Sequence, residues 1–147
     1  MANLGIPEHR IAVVEPTEWA SATRTCLELL REDGLIEQRY IDAVLDSVRS
    51  GSGLYMDLGK GVMLAHTRPE NGAKGTGLAL VVLSTRVDLN EDPAHPIDQI
   101  WGLCAEDTHS HQELMAAFAR VLMNEEIRSQ ISAARTPSDI IALLDQA

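Results

Sequence analysis

The stretch VMLAHTRPENGAKGTGLALVVL, residues 62–83, decides how this chain reads. It opens with a short apolar run, residues 62–66, that ends in His66. Residues 67–77 follow, and there Pro69, Gly72, Gly75 and Gly77 break any regular pattern, so this segment is expected to be a loop. Residues 78–83 then form an unbroken apolar run. A strand with one wet face alternates polar and apolar residues. A continuous run has no wet face, so this strand is expected to be buried on both sides, with helices covering each.

Working outward, the residues before this stretch change period twice. Residues 54–58 form a second short strand-like piece, and residues 59–61, Gly-Lys-Gly, separate it from 62–66 as a turn. Earlier still, Ile41, Val44, Leu45 and Val48 recur at helical spacing and predict a helix over 37–49, broken by Ser50, Gly51, Ser52 and Gly53. Ala20, Thr23, Leu27 and Leu30 predict another over 18–31, with Thr17 as its N-cap and Gly34 as its stop. Residues 1–16 read as an arm or a short strand. Downstream, 87–96 is a polar connection and 97–105 is strand-like. Leu114, Met115, Phe118, Val121 and Leu122 then line a helix for which Ser110 is the candidate N-cap. Residues 125–134 and 137–146 complete the chain as two short helices, with Pro137 where a first turn accepts proline. The fold class is therefore α/β: one domain over 1–147, an N-terminal arm of about sixteen residues, and a mixed β-sheet with helices on both faces.

Composition agrees with a single self-supporting core. The chain has 147 residues, 45% of them hydrophobic, which rules against disorder. Its formal net charge is -10. Nucleic acid and anionic lipid are first met through Lys and Arg, so neither is an expected partner, and a partner with a basic face is. No charged start followed by an apolar run marks a signal peptide, and no run approaches the ~20 apolar residues that span a bilayer. Direct membrane insertion is not expected. The two cysteines, Cys26 and Cys104, lie far apart among apolar residues and read as reduced core thiols of a cytoplasmic protein.

Two segments carry chemistry. In the first, a buried strand ends at His66 and an open Gly/Pro-rich loop begins at once, which is where rigid elements present reactive groups. Neutral imidazole, with a reference pKa of about 6.5, is a nucleophile at neutral pH. The alternative is a strand-end histidine with both nitrogens merely hydrogen-bonded. In the second segment, DTHSHQEL at 107–114, a strand end meets a helix start, where free amides favour anions. His109 and His111 could donate to phosphoryl oxygens there. They also admit a zinc reading, with His66, Glu106 and Asp107 as further ligands, but the spacing matches no established zinc signature, and no metal is expected. Residues 72–77, GAKGTG, lack the spacing of a phosphate loop and precede a strand, so no nucleotide cofactor is expected. Cys104 has no basic sequence neighbour to stabilise a thiolate and reads as structural.

The blocks AHTRPENG at 65–72, TGLALVVL at 76–83, PIDQIWGLCAED at 96–107 and SHQEL at 110–114 together resemble the enzyme IIA of the mannitol/fructose class of the bacterial sugar phosphotransferase system. Trp19 to Ala22 and the run GLIEQRYIDAVL at 34–45 fit as well, so the resemblance spans nearly the whole chain in order. Most of that class carries proline before the active histidine. Here Ala65 stands there, and the AHxRPE form is similar to the ascorbate-type branch.

The resemblance implies a phosphocarrier with no cofactor. Phospho-HPr would donate to His66, at Nε2, and the phosphoryl group would pass to a cysteine of enzyme IIB, coupling indirectly to a membrane enzyme IIC and to uptake of a sugar such as ascorbate. His111 corresponds to the family's second, supporting histidine, and His109 is a candidate helper. Mannitol-type members also use an arginine near the end of the second helix. By register that position is Ser47, which leaves Arg49 and Arg68 as candidates for the role. Phosphoryl transfer needs positioning and charge stabilisation more than covalent machinery, so this small set of groups suffices. Two other readings stand beside this one. The first is a regulatory relative that acts as a phosphorylation-dependent switch on transporters or regulators. The second is a metal-binding or non-enzymatic α/β module.

Overall fold

The computed structural model describes residues 4–147; residues 1–3, where the predicted arm begins, lie outside the described residues. Its centre is one mixed sheet of β1 (Ile11–Val14), β2 (Val62–Ala65), β3 (Gly77–Asp88) and β4 (Pro96–Cys104), in the order β1-β3-β4-β2. β1 runs parallel to β3 and β2 parallel to β4, while β3 and β4 are antiparallel. Five α-helices accompany it among the described residues: α1 (Trp19–Glu32), α2 (Gln38–Arg49), α3 (Thr108–Leu122), α4 (Glu125–Ala133) and α5 (Pro137–Gln146).

The two-residue period of a strand explains why both faces are covered. In β3, Ala79, Val81 and Leu83 face one layer, built with Leu27, Leu30, Ile41, Val44 and Leu45 of α1 and α2. Leu78, Leu80 and Val82 face the opposite layer, built with Phe118, Val121, Ile131 and Ile140 of α3, α4 and α5. The same alternation holds in β2, where Met63 and Ala65 join the first layer and Val62 and Leu64 the second. On the first face α1 lies close to β4 at Gly102. A Cβ there would stand 3.2 Å from Cys26 Sγ and 3.2 Å from Leu27 Cδ2.

Several boundaries differ from the sequence expectation. The N-cap of α1 is Glu18, one residue after Thr17: its carboxylate accepts from the amides of Ala20 at 2.9 Å and Ser21 at 2.6 Å, and the longer side chain reaches both. Asp107, not Ser110, caps α3, accepting from Ser110 N at 2.8 Å. Residues 54–58 are not a strand. Leu54–Met56 turn as a 3-10 helix after Gly53 N–H bonds Ser47 O at 2.8 Å, and only Asp57 pairs, as an isolated bridge to Met63. β3 continues to Asp88 past Leu83, through a register shift between Val82 and Val87 where exposed Ser84, Thr85 and Arg86 replace the apolar run. The first segment contributes a real strand, β1, and Arg10 just before it is buried with its guanidinium 3.5 Å from Asp33. Both cysteines are free and buried. No helix among the described residues is long and apolar enough to cross a membrane.

Candidate functional site

β2 is an edge strand, and its last paired residues are Ala65 with Gly102. His66 is the next residue. Continuing the alternation of β2 sends it to the side of Leu64, the side on which α3 packs. Its Nδ1 lies 2.8 Å from the carbonyl oxygen of Leu64. A carbonyl only accepts, so Nδ1 carries the proton. In the neutral ring the lone pair then sits on Nε2.

His66 lines an open cleft of about 490 Å³. Ser47 contributes from the last turn of α2, Ser52 from the glycine-rich break after it, and Tyr55 from the following 3-10 turn. Thr67 and Arg68 line it from the loop, and His111 from the first turn of α3. Tyr55 is 61% exposed, and its ring meets that of His66 edge-on, with centroids 5.8 Å apart. No carboxylate lines the cleft among the described residues. A site with one guanidinium, two imidazoles and several hydroxyls, free of negative charge, suits an anion.

The loop that carries Arg68 is tied down rather than loose. Asn71 Nδ2 donates to Thr67 Oγ1 at 2.8 Å, and Arg39 Nη1 donates to the carbonyl of Glu70 at 2.7 Å. Gly72 adopts φ +126°, and a Cβ there would meet Arg39, Glu37 and the backbone of Tyr40 within 3.4 Å. Its carbonyl accepts from Glu37 N at 2.9 Å, which joins the loop to the start of α2.

Of the residues singled out in the sequence, the fold brings His66, Arg68 and His111 together at one cleft. Arg49 and His109 are placed elsewhere. Arg49 pairs with Asp46 at 3.8 Å and stacks 5.8 Å over the Trp19 ring. His109 is 81% exposed and its Nε2 stands 2.8 Å from Glu113 of its own helix. Asp107 is occupied as the α3 cap, and no group of three or more His, Cys, Asp or Glu side chains able to hold a metal occurs among the described residues. Cys104 does gain a basic neighbour in the fold, Arg10. Burial is the larger influence, and it pushes the thiol up to about 11 against the weaker pull of the Gly77 backbone and Arg10. Cys26, fully buried, is pushed by burial to about 12. Tyr55 and Ser52 were missed in the sequence. The signal available for Tyr55 was an aromatic residue directly after a glycine-rich helix stop, which is too common to single it out.

Residues 6–147 match the family described as "Phosphoenolpyruvate-dependent sugar phosphotransferase system, EIIA 2". The chain is 32% identical over 133 residues to the ascorbate-specific PTS system EIIA component of Escherichia coli K12, spanning 90% of this chain and 86% of that protein. Its structure is similar to the solution structure of the mannitol-specific cryptic phosphotransferase enzyme IIA of Escherichia coli, with TM-score 0.87, 31% identity, and coverage of 96% of this chain and 95% of that one. It also shares its fold with the Escherichia coli enzyme IIA solved in complex with phosphorylated mannitol enzyme IIB, at TM-score 0.79 and 17% identity, covering 97% of this chain and 98% of that one.

Proposed function

Because this chain belongs to the phosphoenolpyruvate-dependent sugar phosphotransferase system EIIA 2 family, as a phosphocarrier of a sugar phosphotransferase system, we propose that His66 is the residue that carries the phosphoryl group. The observation that carries this reading is the Leu64 carbonyl on His66 Nδ1, which leaves Nε2 as the nucleophilic nitrogen at a carboxylate-free cleft.

The Nε2 lone pair attacks the phosphorus of phospho-HPr, and the P–N bond to the donor breaks with its electron pair returning to the donor nitrogen. A proton is not needed at Nε2 in this step, and Nδ1–H stays on Leu64. The positive charge that develops on the ring is shared with that carbonyl. Arg68 and His111 neutralise the phosphoryl oxygens, and the hydroxyls of Ser47 and Ser52 add donors at the same cleft. In the second half, a cysteine thiolate of enzyme IIB attacks the phosphorus from the opposite side and the P–Nε2 bond breaks. The protein works in the cytoplasm, and a membrane enzyme IIC couples the relay to uptake.

The sugar proposed is ascorbate. The AHTRPE run and the 32% identical ascorbate-specific relative support this. The cryptic mannitol enzyme IIA is nearly as similar, at 31%, so the test must set the two branches against each other.

The experiment is intact-mass analysis after incubation with phosphoenolpyruvate, enzyme I and HPr, for wild type and His66→Ala. One acid-labile phosphoryl group on wild type, absent from a folded His66→Ala, is the expected result. Equal phosphorylation of the variant removes His66 from the role. Adding an ascorbate-type or a mannitol-type enzyme IIB then reads the branch by which of them discharges the protein. Charging without discharge to either one favours the regulatory-switch reading.

A further inference from the structure

Beyond the cleft itself, one buried hydroxyl stands behind it. Tyr40 of α2 is 1% exposed, and its Oη lies 2.6 Å from the carbonyl oxygen of Leu103 and 3.2 Å from the amide nitrogen of Thr67. The carbonyl of Thr67 is also 3.2 Å away. A phenol has one proton, and it goes to the nearer acceptor, so Oη donates to Leu103 and accepts from the Thr67 N–H. Burial pushes this phenol far above its ordinary value, and the donor therefore keeps its proton throughout the physiological range.

The location of these two backbone groups gives the contact its meaning. The parallel ladder of β2 and β4 ends at Ala65 with Gly102. Leu103 is one residue past that pair and Thr67 is two. They are the groups that would be drawn into continued pairing, and a side-chain hydroxyl stands between them instead. It satisfies both and holds the two chains apart. On the other side of the same residue, Asn71 Nδ2 holds Thr67 Oγ1 at 2.8 Å. Thr67 is thus fixed at backbone and side chain, and its two neighbours are His66 and Arg68, both in the cleft.

We propose that Tyr40 is a positioning residue for phosphoryl transfer, its hydroxyl ending the β2–β4 ladder and setting the course of residues 66–68 so that His66 and Arg68 stand correctly about one phosphoryl group. This rests on the phosphocarrier reading above. Tyr40 touches no reacting atom. It acts through Thr67, as a wedge that turns a strand end into a presenting loop. Without it the ladder can zip by one step, which rotates the backbone that carries His66 and moves Arg68.

The test is Tyr40→Phe, which keeps the ring and removes only the oxygen. Val44→Ala, one turn further along the same helix and fully buried, is the control for lost stability alone. Phosphoryl uptake from phospho-HPr is followed by quenched intact mass under conditions where both variants are folded. Misplacement by ~1 Å can cost about a hundredfold in rate, so Tyr40→Phe is expected to lose at least about tenfold in kcat with KM for phospho-HPr little changed. Val44→Ala is expected to transfer at the wild-type rate. A folded Tyr40→Phe with wild-type kcat, or equal losses in the two variants, overturns the proposal. Should Tyr40→Phe not fold, hydrogen exchange on the wild-type protein decides: the Thr67 amide is expected to exchange as slowly as the amides of β2, and fast exchange refutes the wedge. A wild type that takes no phosphoryl group contradicts the phosphocarrier reading instead, and the exchange measurement still judges Tyr40 separately.

Discussion

His66 Nδ1 and the carbonyl oxygen of Leu64, two residues apart on one chain, stand 2.8 Å from each other. That contact fixes a tautomer with backbone alone, so no side-chain substitution elsewhere in the cleft should change which nitrogen reacts. Phosphorylation is expected at Nε2 only. Nitrogen-15 NMR of the charged protein separates the two phosphohistidine isomers, and a signal at Nδ1 would contradict the assignment.

Arg68 and Arg49 are distinguished by where the fold puts them. Arg68 lines the cleft, while Arg49 is taken up by Asp46 and the Trp19 ring. Arg68→Gln is expected to slow phosphoryl uptake by about tenfold to a hundredfold, the size of losing one charge-assisted contact worth ~1.5–3 kcal/mol. Arg49→Gln should leave the rate within about twofold of wild type. Similarly His111→Ala should slow transfer and His109→Ala should not, since His109 points to Glu113. Single-turnover kinetics on the four variants checks all of this, and a reversed order within either pair would reassign the role.

The carboxylate of Glu18 holds the first amides of α1. Partial burial works to raise its pKa, but the hydrogen bonds from Ser21 and Ala20, with Arg24 nearby, outweigh it and the net shift is downward. A carboxyl that is more acidic in the folded than in the unfolded state stabilises the fold above its unfolded value and stops doing so as pH falls through its folded value. Glu18→Ala should therefore cost about 1 kcal/mol at neutral pH. The gap from wild type should hold above the ordinary glutamate value of 4.5 and close below it. Urea unfolding across that range measures the closure, and a gap independent of pH would mean the cap acts without its charge.

At Gly102 α1 packs closely on β4, with Cys26 Sγ, Leu27 Cδ2 and Leu30 Cδ1 all within 3.3 Å of where a Cβ would lie. Gly102→Val should destabilise the protein by about 1–3 kcal/mol, because the fully buried Cys26, Leu27 and Leu30 of α1 leave little room to relax. Since Gly102 pairs with Ala65, next to His66, the variant should also lose transfer rate more than a remote core change of equal cost. Thermal unfolding together with the phosphoryl-uptake assay reads both effects.

The parts of the site that could be read from sequence were those written in one continuous stretch. A continuous apolar run marks a doubly covered strand whatever lies beside it, and Gly and Pro mark a loop because of their own backbone limits. His66 therefore stood out as a strand-end histidine beside an open loop. The helix starts were harder. Thr17 and Glu18 are adjacent, and so close to them in sequence is every amide they could cap that only the observed side-chain reach distinguishes them. The polar half of β3 was invisible for the opposite reason: exposed Ser84, Thr85 and Arg86 carry no apolar period and lie within the register shift, and β3 meets β4 again only where Val87 and Asp88 pair with Ile97 and Pro96.

The sequence by itself determined the α/β class and the phosphotransferase resemblance, and it singled out the histidine proposed to carry the phosphoryl group, because each of these is carried by local pattern or by short motifs in order. Only the tertiary structure decided which partners His66 has. That Arg68, His111 and the ring of Tyr55 share the cleft with His66 while Arg49 and His109 do not, and that Tyr40 reaches Leu103 and Thr67, all depend on how α2, β2, β4 and α3 converge at one end of the sheet. Tyr40 and Leu103 are 63 residues apart in the chain and 2.6 Å apart in space. No local period encodes such a contact; it exists because the strand order places β4 beside β2 and the packed core holds α2 against both.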